Sequence, residues 1–446
     1  MAATSQRKRL ILSVTAALLL TDIALGGYAA LRRQSKPLNS RTSDLRRPST
    51  PLDRRSQRWQ DDLHFFAREF PVEQVDFAKL FPPEKFHQDI AELERDVPKL
   101  TDPEVSLRLM KLVASARVSH TMVTPQDELT FHPYPIRFVW FSDGPAVTEA
   151  NQQYKAALGA RIVRIGTMTP EQLESAIAPF LSYENGVWLH EISRDFMLNR
   201  EVADHFGLAN RDGSIAMTFT RPGSEPFQLK VAPAEDHMIS AYEAYHLPVP
   251  LSRRHPDDWY WYEYLSNDHA LYIQYNRCRD KKKEPFKDFA AGLFRFVDGA
   301  QGANKVERVI VDLRFNGGGD SGVIDPLING LKSRPWLSTR GHLYVLTGSG
   351  TYSSGMMAAV EFRNSLHALL VGEPSGSPPN EYGEIKDFTL PNSKIDVQYT
   401  TRYFRLLTDS NPQTLEPDLT VHRSIADFLS GRDPALDVAL KHPSRD

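Results

Sequence analysis

The chain has 446 residues, 41% of them hydrophobic and 24% charged, which is enough for two or three modest domains with cores of their own. A formal net charge of −3 gives no overall basic field, so nucleic acid is not expected as a partner. Cys278 is the single cysteine, which excludes an internal disulfide and a thiolate cage for a metal.

Arg7, Lys8 and Arg9 precede a mostly apolar run from Leu10 to Leu31, the layout of an export signal. About 20 apolar residues span a bilayer, so residues 1–31 read as a signal peptide or, preferred on length, an uncleaved membrane anchor, despite Asp22 within the run. Small residues around Gly26 also permit cleavage. From 32 to 58 nine Lys or Arg face only Asp44 and Asp53, with Pro37, Pro48 and Pro51 between them. Such a stretch buries too little apolar surface to fold, and reads as a disordered basic linker able to touch anionic head groups. The expected location is outside the cytoplasm, periplasmic or at the cell surface.

Folded structure is expected from Trp59, with a helical region over 59–130 built on Phe65, Phe66, Phe70, Phe77 and Phe81. Thr101-Asp-Pro-Glu104 is a capping-box pattern, and Val105, Leu109, Leu112 and Ala116 follow at helical spacing. That helix leads to Ser119-His120-Thr121. Over 131–222, Ile136 to Phe141, Ser-Asp-Gly-Pro and Ala146 to Thr148 read as a hairpin. Leu158 to Gly166 reads as a strand, and Thr169-Pro-Glu-Gln172 caps a helix to about Leu181. The succession looks like a PDZ-type module, whose sheet edge accepts an extended peptide as an added strand. A β-module that binds nothing is the plainer alternative.

Over 223–446 the pattern becomes strand, helix, strand: Leu271 to Tyr275, then Phe286, Phe289, Leu293 and Phe296 on one helical face, then Arg308 to Leu313. Alternation of this kind predicts an α/β layer with a largely parallel sheet. The strand Val309-Ile-Val-Asp312 runs into Gly317-Gly-Gly319, where glycines let backbone amides face a developing negative charge. A phosphate loop fails on detail, because no Gly-Lys-Ser/Thr follows and the Rossmann spacing is missing. The next strand, His342 to Leu346, enters Thr347-Gly-Ser-Gly-Thr-Tyr-Ser353-Ser-Gly, and Met356 to Phe362 then reads as helix. A serine at a strand-to-helix turn projects its hydroxyl beside a free amide. Ser353 and Ser354 also suit plain helix caps.

Four motifs in order carry a resemblance: Asp312-Leu-Arg-Phe-Asn-Gly-Gly-Gly, Thr351-Tyr-Ser-Ser, Val371-Gly-Glu-Pro-Ser-Gly-Ser-Pro-Pro-Asn-Glu-Tyr-Gly-Glu384, and Phe388-Thr-Leu-Pro-Asn-Ser393. Together they resemble the catalytic domain of the tail-specific and tricorn-like serine peptidases. The resemblance implies a crotonase/ClpP-like α/β catalytic domain behind the helical region and the PDZ-like module. It implies Ser353 as nucleophile and the amides of Ser354 and of Gly317 or Gly318 as the oxyanion hole. The tail-specific branch has a lysine about 25 residues after its serine. Pro378 lies there in this chain, and the first later lysine is Lys386.

The tricorn-like branch uses a histidine before a threonine, which falls on His120, assisted by a serine, here Ser119, and by a glutamate, either Glu384 or Glu416. Met356 and Val118 stand where that family usually has acids. The implied function is a bacterial, exported serine endopeptidase acting on polypeptide, without metal or organic cofactor. The alternative is a weakened pseudoenzyme that binds peptide chain ends. An acyl-thioester enzyme on the related fold would need a coenzyme-A pocket, for which the sequence offers no basic cluster beside the glycines.

Overall fold

The computed structural model describes residues 53–124, 131–234, 237–338 and 341–443. The export segment and the linker up to Leu52 lie outside them. Among the described residues no helix is long and apolar enough to cross a membrane.

The helix Arg54–Glu73 opens on Asp53, whose carboxylate accepts the Ser56 amide at 2.7 Å. The last five residues expected as linker are therefore helical. The reason is not local in sequence: Arg55 pairs with Asp102, and Trp59 donates its indole N–H to the same carboxylate at 2.7 Å. One face, Trp59, Leu63, Phe66 and Phe70, is buried against the helices Pro83–Asp96 and Asp102–Ala114. Phe66 and Phe70 stack at 4.9 Å, and Phe86 meets Phe77 edge-on at 5.0 Å. The Thr101–Glu104 capping box forms as expected. After it the chain turns through Ser119–Thr121 into β1 (Met122–Thr124).

An antiparallel sheet follows, built of β2 (Ile136–Phe141), β3 (Gly144–Asn151), β4 (Arg161–Ile165), β5 (Ile215–Thr220) and β6 (Phe227–Val231), with β7 (Met238–Ser240) on β3. The boundary expected at 222 falls inside the β5–β6 hairpin, so the sheet continues past it. The helix Pro170–Ile177 carries the Thr169–Gln172 capping box and packs over β4. β4 is not an outer strand: β5 pairs along it, and β3 pairs at Ala146↔Arg161 alone. Only its Ile162–Ile165 half lacks a β3 partner.

The main sheet has the order β15-β12-β11-β10-β9-β8, from β8 (Tyr260–Leu265), β9 (Ala270–Tyr275), β10 (Arg308–Asp312), β11 (Leu343–Thr347), β12 (Leu369–Gly372) and β15 (Leu419–Thr420). All its pairings are parallel except β8 with β9. The inner strands β9 to β12 are buried on both faces, which is why they read as nearly continuous apolar runs. Val309, Val311 and Val345 pack under the helices Phe286–Gly299, Asp325–Lys332 and Ser354–Leu366, whereas Ile310, Tyr344 and Leu346 pack on the last helix, Pro434–Lys441. A third sheet joins β1 to β14 (Asp396–Arg405) and β14 to β13 (Asn380–Thr389), with Met122 opposite Gln398. That pairing carries the loop before β1 to the side of the α/β layer where β11 ends.

Candidate active site

β11 delivers the chain to the turn Gly348–Tyr352 and then to Ser353, the N-cap of the helix Ser354–Leu366. Ser353 has φ 53° and ψ −129°, a conformation that costs a non-glycine residue about 1–3 kcal/mol. Surrounding bonds hold it there. The Ser353 amide donates to Ser377 Oγ at 2.9 Å, the Tyr352 amide to the Asn316 carbonyl at 3.0 Å, and Thr351 Oγ1 to the Leu313 carbonyl at 2.9 Å. The Ser353 side chain is half-buried, and its hydroxyl makes no hydrogen bond to another described residue.

The glycine run lies against this turn. Gly318 has φ 105°, and a Cβ there would stand 2.7 Å from Ser353 Cβ and 3.1 Å from the Ser354 nitrogen. No other residue fits without moving the serine. Asn316 ties the two segments: its Nδ2 donates to the Tyr275 carbonyl at 2.8 Å, and its Oδ1 accepts from the Gly318 amide at 2.9 Å. Of the three expected oxyanion donors, the Gly318 amide is thus already committed to Asn316. The amides of Gly317 and Ser354 remain the candidates, while the Ser354 hydroxyl donates to the Gly319 carbonyl at 2.7 Å.

His120 comes from the other side of the molecule. Its carbonyl accepts from Gln398 Nε2 at 2.9 Å, and Ser182 Oγ holds the Thr121 carbonyl at 2.6 Å. The imidazole is buried and stacks on Tyr352 with ring centroids 4.6 Å apart. Its Nδ1 lies 3.0 Å from the Tyr352 hydroxyl, which donates to Ser119 Oγ at 2.6 Å. Its Nε2 is buried with no hydrogen-bond partner. Burial pushes its pKa down to about 3, so the ring is neutral at ordinary pH. Tyr352, next in sequence to the serine, therefore stands between the histidine's Nδ1 and Ser119.

The expected carboxylates do not join this cluster. Glu384 is exposed on β13, 3.8 Å from Arg402, and Glu416 is exposed beside Thr414. Two other glutamates do. Glu184 accepts the Ser119 amide on Oε1 at 2.9 Å, and burial raises its pKa to about 7 against the pull of the Ser119 hydroxyl and amide. Glu381 Oε2 lies 3.8 Å from His120 Nδ1, and burial, then the nearby Glu184, holds it well above the usual carboxylate range. Lys386 is exposed. Met356 and Val118 are both buried apolar positions.

Sequence reasoning missed Glu184, Ser377 and Glu381 as individual residues. Ser377 and Glu381 lay within the Val371–Glu384 motif, but nothing local marked them. Glu184 precedes the helix Gly186–Phe196, capped by Asn185, whose Nδ2 also donates to the Gly376 and Gln413 carbonyls at 2.9 and 2.8 Å. From that helix Trp188 stacks on Tyr352 at 3.9 Å. The aromatic before the serine is thus clamped between an indole and an imidazole.

No protein-family model matches the sequence, and no curated protein matches it significantly. Solved structures do. Mature CPAF complexed with lactacystin matches over 86% of this chain and 98% of its own, at 12% identity and a TM-score of 0.59. Mature CPAF alone covers 86% and 97%, at 12% identity and a TM-score of 0.57. A photosystem II D1 C-terminal processing protease covers 89% and 98%, at 11% identity and a TM-score of 0.42. At these identities the likeness is one of fold, and the mixed α/β chain has the fold of CPAF.

Proposed function

We propose that this chain is a serine endopeptidase of the tail-specific and tricorn-like kind, with a crotonase/ClpP-like catalytic domain and a PDZ-like module. The observation that carries the reading is Ser353, strained at a helix N-terminus and backed by a glycine that no other residue can replace. In the proposed reaction Ser353 Oγ attacks the scissile carbonyl of a polypeptide. His120 takes the hydroxyl proton on Nε2 and returns it to the leaving amine, and the Gly317 and Ser354 amides receive the oxyanion. Glu184 and Glu381 replace Glu384 and Glu416 as the carboxylates beside the histidine. No step calls for a metal or organic cofactor.

The test is covalent labelling with a fluorophosphonate alongside peptide hydrolysis. The wild-type protein should label, whereas Ser353→Ala should fold normally, fail to label and hydrolyse at least ~10³-fold more slowly. Labelling retained in Ser353→Ala and lost in Ser354→Ala would overturn the assignment. One observation favours a second reading, a weakened peptidase homologue that binds chain ends: no hydrogen bond joins His120 to Ser353. An unlabelled, inactive wild-type protein that still binds peptides would select it. Export is also proposed, from residues 1–31; a mature N-terminus near Gly27 would make the segment a cleaved signal, and Met1 retained in a membrane fraction an anchor.

A further inference from the structure

We infer that Tyr352 is a positioning residue that links His120 to Glu184 through Ser119 and so fixes which imidazole nitrogen carries the proton. The inference rests on the peptidase reading for its consequence in catalysis, but not for its geometry.

A tyrosine hydroxyl has one proton and can be a donor once. The Tyr352 hydroxyl lies 2.6 Å from Ser119 Oγ and 3.0 Å from His120 Nδ1, so it donates to one and accepts from the other. The Ser119 end sets the direction. Glu184 holds the Ser119 amide at 2.9 Å, and the Tyr352 hydroxyl is the donor to Ser119 Oγ. The Tyr352 oxygen is then free only to accept, and His120 Nδ1–H supplies the donor. The result is a one-way chain, His120 to Tyr352 to Ser119, and Glu184 fixes its end by accepting the Ser119 amide.

This leaves Nε2 with its lone pair, the atom that a general base needs and the one without a partner in the structure. Stacking on Trp188 at 3.9 Å and on His120 at 4.6 Å holds the phenol ring in place. The other titratable group facing the imidazole is Glu381, 3.8 Å from Nδ1. At that distance it makes no hydrogen bond to Nδ1, and burial, then the nearby Glu184, raises its pKa well above the usual carboxylate range.

Two measurements test the inference. In full-length Ser353→Ala protein, nitrogen-15 NMR should find His120 with its proton on Nδ1 and Nε2 bare, and Tyr352→Phe in the same background should remove that preference while both rings stay stacked. A proton on Nε2 in the unsubstituted cluster would overturn it. In the active protein, Tyr352→Phe and Glu184→Gln should each lower kcat by about 10²-fold with KM within about twofold, because only the base is disturbed. Wild-type kcat in Tyr352→Phe would also overturn it. If the wild-type protein hydrolyses nothing, the peptidase reading fails, and the NMR arm still decides the proton's place.

Discussion

Glu184 links stability and activity at one side chain. Its pKa rises from the model-compound 4.5 to about 7 in the fold, so the folded chain holds this proton more tightly than the unfolded chain does. Stability is therefore lost as pH rises from 4.5 through about 7, on the order of 3 kcal/mol for a shift of this size. Glu184→Gln should raise the melting temperature at pH 8 and leave it nearly unchanged at pH 4.5, as thermal denaturation at the two pH values would show. On the peptidase reading, an ionised Glu184 grips the Ser119 amide more firmly and steadies the histidine's partner, so kcat should climb with pH through about 7, and Glu184→Gln should flatten that limb. His120 works in the opposite sense: its folded pKa, depressed to about 3, adds stability that is full above 6.5 and lost as pH falls towards 3. Gly318→Ala would drive a Cβ to 2.7 Å from Ser353 Cβ at φ 105°, and should abolish labelling by fluorophosphonate even where circular dichroism shows a folded protein. Among single residues, Ser353 and the glycines were legible because a turn writes its needs into adjacent positions. Glu184 was not, because it reaches Ser119 across 65 positions of sequence.

Elements were legible wherever their signal was local. The Thr101 and Thr169 capping boxes, the nearly continuous apolar runs of β9 to β11 and the helix after Ser353 all appear where spacing predicts them. The first helix was misread over 54–58 because its stabilising partner, Asp102, lies 47 positions on in sequence. That β4 lies inside its sheet was not legible, because pairing order is not written in any one strand. The last helix shows a similar non-local tie. Asp433 caps it and binds Arg314, at 2.7 and 2.8 Å, while Arg314 also pairs with the fully buried Asp312. Breaking one partner of a buried network leaves a charge uncompensated, so Asp433→Asn should destabilise the protein by about 3–5 kcal/mol in denaturant titration. Because Arg314 sits directly before Phe315 and Asn316, the same substitution should also slow labelling of Ser353.

At the scale of the whole molecule the regions expected from the sequence pack on one another. The helices of 54–114, the β2–β6 sheet and residues Leu390, Ile395, Val397 and Tyr399 share one hydrophobic cluster. The module also supplies Glu184 and Trp188 to the serine's surroundings. Deleting 131–222 should therefore leave an insoluble or unlabelled product rather than a competent catalytic domain, and thermal unfolding of the intact chain should be a single transition by both circular dichroism and tryptophan fluorescence. The β1–β14 pairing has a further consequence for synthesis. Met122 cannot find Gln398 until synthesis has passed residue 398 of 446, so β1 and the histidine beside it stay unplaced while most of the polypeptide is already made. On the peptidase reading, a nascent chain would carry Ser353 without His120 in place, and so would stay inactive, until β14 has been made.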